Sequence, residues 1–345
     1  MTYEETVAIC EQRLLPLAVE RYGLHGYTFS LIQREDLPIN VVYRCEKPGA
    51  PSKIFRVAYR GDRDDCDYLA ETEYVRYLHD NGGAVANVVD SIHGNKFEAV
   101  TIDGQTYFMC VFETAKGKTM EDNHNLYRHG APIEEYFFAC GQTLGKLHQL
   151  SKNYNPVHRR CHFLEEFTTE DVKALVPDSL SLCKEKLLAL FTTLAETDQS
   201  PPVYGMIHGD FHDENYHVDV DTGQITVFDF DNACFGWYMH DLANLWMHAI
   251  HWTEDEPNQN KRKQLTNRYF ERVIAGYRAE TSLEDATLES LPLFVQANLM
   301  LGIIAAFEDM RDSGETPEDD EELEYIVKCF EDDIPYGGFF YVLCA

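Results

Sequence analysis

The chain has 345 residues, 44% of them hydrophobic, and its 59 acidic and 29 basic side chains give a formal net charge of −30 at pH 7. Such a chain can bury the cores of two lobes, which excludes a long disordered protein. The negative field repels polyanions, so we expect neither nucleic acid nor an anionic membrane as a partner. A neutral or cationic ligand is favoured.

The cysteines and the apolar runs exclude several other classes of protein. The ten cysteines contain no Cys-x-x-Cys pair, so neither a zinc site nor a redox site is predicted. The start, MTYEETVAICEQRLL, has no basic leader followed by an apolar run, and no run reaches the roughly 18 apolar residues of a membrane span. We therefore expect a cytoplasmic protein.

The first part of the chain is predicted to be rich in β-strands. Three extended segments, TFSLI at 28–32, NVVYRC at 40–45 and KIFRVAY at 53–59, are separated by turn residues. Two more, FEAVTI at 97–102 and QTYFMCVFE at 105–113, are joined by Asp-Gly, which is typical of a hairpin. These segments predict a small sheet.

One helix is predicted within this β-rich part. From Asp65 to Asn81 apolar residues recur at helical spacing, and Gly82-Gly83 ends the segment. The apolar face carries a single carboxylate, Glu71.

After Glu113 the character of the chain changes. The short polar stretch at 114–118 is the candidate linker, and helices dominate beyond it, beginning with 133–150. The sequence thus predicts an α+β protein with two lobes, a small β-rich lobe at 1–113 and a larger, mainly helical lobe at 114–345 that contains a catalytic β-hairpin.

The segment at 203–231 contains the predicted hairpin and the polar side chains that are candidates for catalysis. It reads VYGMIHGDFHDENYHVDVDTGQITVFDFD: an apolar strand, a polar loop, and a hairpin whose second strand places Asp229 on the same face as two apolar residues. Asp210 and Asn215 lie on the loop before the hairpin, which should return Asp229 toward them.

Three oxygen-bearing side chains at this spacing suit phosphoryl transfer. That reaction needs a carboxylate to orient the attacking hydroxyl and hard oxygen ligands to hold Mg²⁺ against the phosphates. Asp210, Asn215 five residues later, and Asp229 downstream match the Asp-x-x-x-x-Asn plus Asp arrangement of kinase catalytic loops.

The motifs also resemble those of one family. HGDFHDEN at 208–215 resembles the His-Gly-Asp-x-His-x-x-Asn loop of the aminoglycoside phosphotransferase and choline kinase family. FDFDNACFGWYMHDLA at 228–243, CGQTLGKLH at 140–148 and NVVYR at 40–44 are similar to other segments of that family, in the same order. The resemblance implies a bilobal protein-kinase-like fold, ATP and Mg²⁺ as cofactors, and a small-molecule alcohol such as an amino-alcohol or amino-sugar as acceptor.

The resemblance also implies roles for individual residues. Asp210 would be the catalytic base, and Asn215 and Asp229 would be the Mg²⁺ ligands. Arg56 occupies the place where kinases carry a phosphate-binding Lys, and Glu71 would be its ion-pair partner in the nucleotide site. Asp241 would steady the catalytic loop.

Two features depart from the protein-kinase pattern. Arg56 replaces a lysine, although its guanidinium fork can also bind phosphate. The predicted nucleotide loop, IQREDLPIN at 32–40, contains no glycine.

The sequence also bears on four other interpretations. A serine/threonine protein kinase of the same fold stays open, as does a non-catalytic binding protein of kinase shape. The histidines near Asp210 also occur beside carboxylates in metal-dependent phosphohydrolases, but the β-rich first lobe is then unexplained. Gly-Lys-Thr at 117–119 is not a P-loop, because Phe112 stands where that motif requires glycine.

Overall fold

The computed structural model describes residues 3–32, 40–59, 63–253, 256, 258–313 and 321–333. Over these residues the protein is α+β, with a six-stranded antiparallel sheet in the N-terminal lobe (residues up to 113) and mainly helices in the C-terminal lobe (residues from 114). The predicted α+β class is confirmed. The loop predicted at 32–40 lies outside the described residues except for its ends, Ile32 and Asn40.

The sheet of the N-terminal lobe has the strand order β1-β2-β3-β6-β4, and β5 also pairs with β6. Its strands are β1 Thr28–Leu31, β2 Asn40–Glu46, β3 Lys53–Ala58, β4 Val88–Val89, β5 Glu98–Ile102 and β6 Gln105–Glu113. The predicted hairpin is confirmed: Ile102 pairs with Gln105, and Asp103 and Gly104 take positive φ angles between them.

Two helices that were not predicted precede the sheet. They are α1 Tyr3–Ile9 and α2 Leu15–Tyr22, joined by a π-helical turn, Cys10–Leu14. Their buried residues share one core with the sheet: Cys10, Leu14, Ala18, Val41, Phe55 and Val57. The sheet therefore has a helical layer on one face.

Helix α3, Asp65–Asp80, confirms the predicted helix and connects the two lobes. The Asp64 side chain accepts hydrogen bonds from the backbone of its first turn, which fixes where the helix begins. Tyr74 and Leu78 belong to the core of the C-terminal lobe, and the Tyr74 hydroxyl lies 2.5 Å from Ser151 Oγ. Glu71, on the same helix, is thus placed between the lobes.

The predicted linker at 114–118 packs against the catalytic hairpin. Lys118 and Val218 exchange two backbone hydrogen bonds, of 3.2 and 2.7 Å. Gly117 has φ +97°, and a Cβ there would lie 2.1 Å from the Val218 carbonyl oxygen. The glycine of Gly-Lys-Thr is therefore required for this close contact.

The C-terminal lobe is mainly helical, as expected. Its helices are α4 Ile133–Ser151, α5 Phe163–Glu166, α6 Thr169–Leu175, α7 Ser181–Glu196, α8 Tyr238–Met247, α9 Gln259–Glu280, α10 Asp285–Leu288, α11 Leu291–Ser313 and α12 Glu321–Glu331. The predicted helix at 133–150 is α4.

Two small antiparallel sheets lie among these helices. The predicted hairpin is β8 Tyr216–Val218 with β9 Ile225–Val227. The other, β7 Tyr204–Ile207 with β10 Cys234–Trp237, was not evident from the sequence because its strands are distant in the chain. Its pairing joins the two ends of the segment that contains Asp210 and Asp229.

One stretch of the described chain, Asp285–Arg311, is long and apolar enough to cross a membrane by length and composition. It comprises α10 and most of α11. In this fold α11 packs against α8 and α6, and its residues Phe294, Met300 and Ile303 are buried in the core of the lobe. That is the arrangement of an interior helix.

Candidate active site

One buried carboxylate, Asp241 in α8, holds the catalytic loop (residues 208–215). Its Oδ2 accepts a hydrogen bond from the backbone N–H of His208 at 2.8 Å, and its Oδ1 accepts one from Gly209 at 2.9 Å. Nε2 of His148 lies 3.0 Å from the same carboxylate. Burial alone would raise the pKa of Asp241, but its hydrogen bond with His148 lowers it, so the carboxylate is ionised.

The catalytic loop is in backbone contact with the Asp229 loop (residues 228–233). Gly209 has φ +82°, and a Cβ there would lie 2.3 Å from the Asn232 carbonyl oxygen. Nε2–H of His208 donates to the Phe228 carbonyl at 3.0 Å. Because a side chain at 209 has no room, the glycine of the His-Gly-Asp motif allows the two loops to approach each other.

Asp210 and Asn215 contact each other directly. Asn215 Nδ2 donates to the Asp210 carbonyl oxygen at 2.9 Å and to Asp210 Oδ2 at 3.1 Å. His212 Nε2 lies 3.5 Å from Asp210 Oδ2. Asn215 is buried, whereas Asp210 is half-buried and lines the cavity between the lobes.

The surroundings of Asp210 favour its ionised form. Burial alone would raise the pKa of Asp210, but the hydrogen bond and charge of His212, together with His208 and Asn215, hold it well below its usual range. The same pairing raises the pKa of His212, although burial opposes the change. Asp210 is therefore a carboxylate, and a hydrogen-bond acceptor, at neutral pH.

Asp229 follows the hairpin but does not continue its second strand. The sequence placed it in line with the apolar residues of β9, whereas β9 ends at Val227 and Asp229 adopts a left-handed conformation, φ 62° and ψ 64°. The Phe228 N–H donates to the Asn215 carbonyl at 2.9 Å, which extends the pairing by one bond. The chain thus returns beside the catalytic loop, and Asp210 and Asp229 line the same cavity.

Arg56 in β3 and Glu71 in α3 form the predicted ion pair. Arg56 Nη2 lies 2.6 Å from Glu71 Oε2, and both side chains are buried. Arg56 Nη1 also lies 3.8 Å from Asp229 Oδ1 and 3.9 Å from Asp231 Oδ1. Burial opposes the charge of Arg56, but Glu71 and Asp231 raise its pKa well above the usual value. Arg56 is therefore a fixed cation beside Asp229.

Two further arginines contact the Asp229 loop, and the sequence analysis missed both. Arg63, just before α3, donates through Nη1 to Asp231 Oδ1 and to the Asp231 carbonyl, each at 2.5 Å. Arg160 donates to the Asp231 carbonyl and, through Nε, to the Ala233 carbonyl at 2.6 Å. Neither residue belongs to a motif, so no signal in the sequence could have identified it.

The cavity between the lobes has a volume of about 430 Å³, within the ~300–1,000 Å³ usual for small-molecule sites. Its lining combines apolar and charged side chains. The apolar ones include Ile32, Val42, Ile54, Ala86, Phe112 and Phe228, and the charged ones include Arg56, Glu71, Asp210, Glu214, Asp229 and Asp231. Such a cavity can take a ligand that has both an apolar ring and a charged group.

The linker side of the cavity is fixed by two contacts with the hairpin. His217 Nδ1–H donates to the Ala115 carbonyl at 3.0 Å, and burial lowers the pKa of this histidine. Lys116 Nζ lies 2.6 Å from Asp219 Oδ2. The linker and the catalytic hairpin therefore form one connected surface.

Helical residues beyond Leu245 reach the catalytic loop. The rings of His212 and His248 stack with centroids 5.2 Å apart and planes 8° from parallel. His248 Nδ1 lies 3.8 Å from Asp213 Oδ1. The C-terminal helical region thus covers one side of the loop that carries Asp210.

The donor set fits a hard cation held partly by phosphate. Asn215 and Asp229 supply an amide and a carboxylate oxygen, ligands that Mg²⁺ prefers. No group of three or more His, Cys, Asp or Glu able to hold a metal was found in the described part of the chain. Since Mg²⁺ commonly uses one or two carboxylates together with phosphates and water, the residues present suit a metal that arrives with a nucleotide.

Similar proteins and structures are phosphotransferases that act on small molecules. The chain is 28% identical over 336 residues to the amicoumacin kinase of Bacillus subtilis (strain 168), with 95% of this chain and 94% of that protein covered. It is similar in fold to the structure of an amicoumacin kinase in complex with AMP-PNP, Ca²⁺ and Ami, with a TM-score of 0.81, 24% identity and 97% of each chain covered.

A second solved structure, that of a microcompartment-associated aminopropanol kinase, has a TM-score of 0.67 at 21% identity, covering 93% of this chain and 94% of that one. The bilobal kinase-like fold predicted from the sequence is therefore confirmed. The model of the phosphotransferase enzyme family matches residues 38–280, well over half of the chain. The protein belongs to the phosphotransferase enzyme family, and it is a kinase.

Proposed function

We propose that this protein transfers the γ-phosphoryl group of ATP to a hydroxyl group of an amine-bearing small molecule. The observation that carries the proposal is the shared cavity: Asp210, Asp229 and Arg56 line one space of about 430 Å³ together with apolar side chains. Apolar lining suits the adenine ring, and charged lining suits a metal-bound triphosphate. The similar kinase structure with AMP-PNP and Ca²⁺ supports the use of ATP and a divalent metal.

In this proposal Asp210 orients the acceptor hydroxyl and takes its proton as the new bond forms. A carboxylate of low pKa is a weak base, so its main contribution is positioning, which dominates catalysis of phosphoryl transfer. Its contact with Asn215 and the anchoring of the loop by Asp241 hold the carboxylate in one place.

Asn215 and Asp229 are the proposed ligands of Mg²⁺. The amide nitrogen of Asn215 bonds to Asp210, which directs the amide oxygen to a different partner. Mg²⁺ would supply neutralisation of the charge on the phosphates. Arg56, held by Glu71, would contact a phosphate oxygen from the N-terminal lobe, so residues 1–113 form the nucleotide-binding lobe and residues 114–345 the catalytic and acceptor-binding lobe.

The acceptor is proposed to carry an amine. The protein has a formal net charge of −30, and Asp213 and Glu214 lie on the loop that presents Asp210. A negative field of this size raises the local concentration of cations. The names of the similar kinases, amicoumacin kinase and aminopropanol kinase, point to the same class of acceptor. Because the proposed reaction consumes ATP, we propose a cytoplasmic location.

ADP release in the presence of Mg²⁺ and ATP tests this function. The acceptors are amicoumacin, aminopropanol, choline, an aminoglycoside and homoserine, and matched alcohols without the amine serve as controls. We expect at least one amine-bearing acceptor to be phosphorylated, with no turnover in EDTA. Turnover of only neutral or anionic acceptors contradicts the amine, and phosphorylation of a generic protein alone contradicts the small-molecule acceptor.

A further inference from the structure

We propose that Arg160 is a positioning residue for the Asp229 loop: it holds the backbone that follows Asp229 and joins that backbone to α3. The inference deepens the proposed function and rests on it, since it takes Asp229 as a ligand of Mg²⁺. Arg160 lies outside the cavity, so it acts through the loop and not on the substrates.

The contacts of Arg160 with the loop are made entirely to backbone oxygens. Nη2 donates to the Asp231 carbonyl, and Nε donates to the Ala233 carbonyl at 2.6 Å. The side chain is 3% exposed, so these bonds form away from water. A planar guanidinium that donates to two carbonyls fixes both the distance and the direction of the loop backbone.

The remaining nitrogen of Arg160 contacts the helix that carries Glu71. Nη1 lies 3.4 Å from Asp67 Oδ1 and 3.5 Å from the Asp67 carbonyl oxygen. Asp67 is in the first turn of α3, and Glu71 follows four residues later on the same face of the helix. Arg160 therefore joins α3 to the loop, and Glu71 and Arg56 join the same two elements from the other side.

The conformation of Asp229 explains why the loop needs such support. Asp229 has φ 62° and ψ 64°, a left-handed conformation that is unfavourable for a residue with a side chain. Bonds from the catalytic loop hold Phe228 on one side of it, through His208 and Asn215. Arg160 and Arg63 hold the Asp231 carbonyl on the other side.

Calorimetric titration with AMP-PNP, in Mg²⁺ and separately in EDTA, tests the inference. In Arg160→Gln we expect the affinity for AMP-PNP with Mg²⁺ to fall by about 10–100-fold, the usual effect of losing a residue that orients a metal ligand. The affinity in EDTA should stay the same, because Arg160 does not line the cavity. Arg160→Lys keeps one donor and should show a smaller loss of the same kind.

The neighbouring residue provides a matched control. Arg159 is 71% exposed in its side chain and pairs with Glu165, so Arg159→Gln should change neither affinity. An equal loss with and without Mg²⁺ in Arg160→Gln, or no loss, overturns the inference. If Arg160→Gln does not fold, Arg160→Lys decides: a loss confined to Mg²⁺ supports the inference, and any other result overturns it.

Asp229→Asn separates this inference from the proposed function. If Asp229→Asn retains the full Mg²⁺-dependent affinity, the proposed metal site itself is wrong. If Asp229→Asn loses that affinity and Arg160→Gln does not, only the role of Arg160 is wrong.

Discussion

The catalytic loop and the Asp229 loop lie side by side but are held in different ways. The catalytic loop is anchored within the C-terminal lobe, where Asp241 accepts two of its backbone N–H groups. The Asp229 loop is held by arginines from both lobes, Arg56 and Arg63 from the N-terminal lobe and Arg160 from the C-terminal lobe. The position of Asp210 is therefore set within one lobe, whereas that of Asp229 depends on how the two lobes are joined.

We therefore expect the catalytic loop to determine turnover and the Asp229 loop to determine nucleotide binding. Changes at the anchor of the catalytic loop should lower turnover, and changes among the arginines should weaken the binding of the metal-bound nucleotide.

Asp210→Asn should have the largest effect. It removes the carboxylate that orients the acceptor hydroxyl and accepts its proton, so kcat should fall by about 10²–10⁴-fold. Asp221→Asn, an exposed carboxylate in the turn of the same hairpin, is the control and should leave kcat unchanged. A kcat within a few-fold of the wild type would remove Asp210 from the mechanism.

Asp241→Ala should act on the catalytic loop through its anchor. It leaves the N–H groups of His208 and Gly209 buried without their acceptor and removes the partner of His148. Breaking a buried charged network of this kind costs about 3–5 kcal/mol of unfolding free energy. Urea denaturation measures the change, and a loss below about 1 kcal/mol would show that the loop is held in another way.

Arg56→Lys should affect the Asp229 loop and spare the catalytic loop. A lysine cannot bond to Glu71 and face Asp229 and Asp231 at the same time, since it lacks the fork of a guanidinium. Loss of a hydrogen bond to a charged group costs about 1.5–3 kcal/mol, so KM for Mg·ATP should rise by about 10–100-fold. The KM of the acceptor should not change, and an equal rise in both constants would contradict the separation.

The smallest expected effect is a loss of stability in mild acid. Burial lowers the pKa of His148 and of His240 in the folded protein, so both stay neutral there below the ordinary histidine value of about 6.5. The unfolded chain then binds more protons, and the free energy of unfolding should fall as the pH drops from about 7 to about 5. His240→Gln should reduce the slope. Because the raised pKa of His212 acts in the opposite direction in both proteins, a slope that is the same in His240→Gln as in the wild type would contradict the buried neutral state of His240.

How much of the site could be predicted depends on how local its signals are. Asp210 and Asn215 both lie inside one motif of eight residues. The hairpin that returns the chain to Asp229 is indicated by the residues of its own turn. The ion pair of Arg56 and Glu71 followed from a carboxylate on an apolar helix face together with the family resemblance.

The support of the Asp229 loop could not be predicted, because it depends on contacts between distant parts of the chain. Arg160 lies in a loop without regular structure, and its partners are backbone oxygens, which leave no pattern in the sequence. The left-handed conformation of Asp229 could not be predicted either, because no glycine stands at that position to indicate it. In the fold, the helical layer of α1 and α2 and the pairing of β7 with β10 were missed because they depend on tertiary packing.

The most direct measurement compares Asp210→Asn with Asp229→Asn by calorimetric titration with AMP-PNP, in Mg²⁺ and in EDTA. The proposed roles predict that Asp210→Asn keeps nearly the wild-type affinity in both conditions. Asp229→Asn should lose affinity in Mg²⁺ by more than tenfold, or about 1.4 kcal/mol, and lose none in EDTA. An equal loss of Mg²⁺-dependent affinity in the two variants would contradict the assignment of Asp210 to the acceptor and Asp229 to the metal.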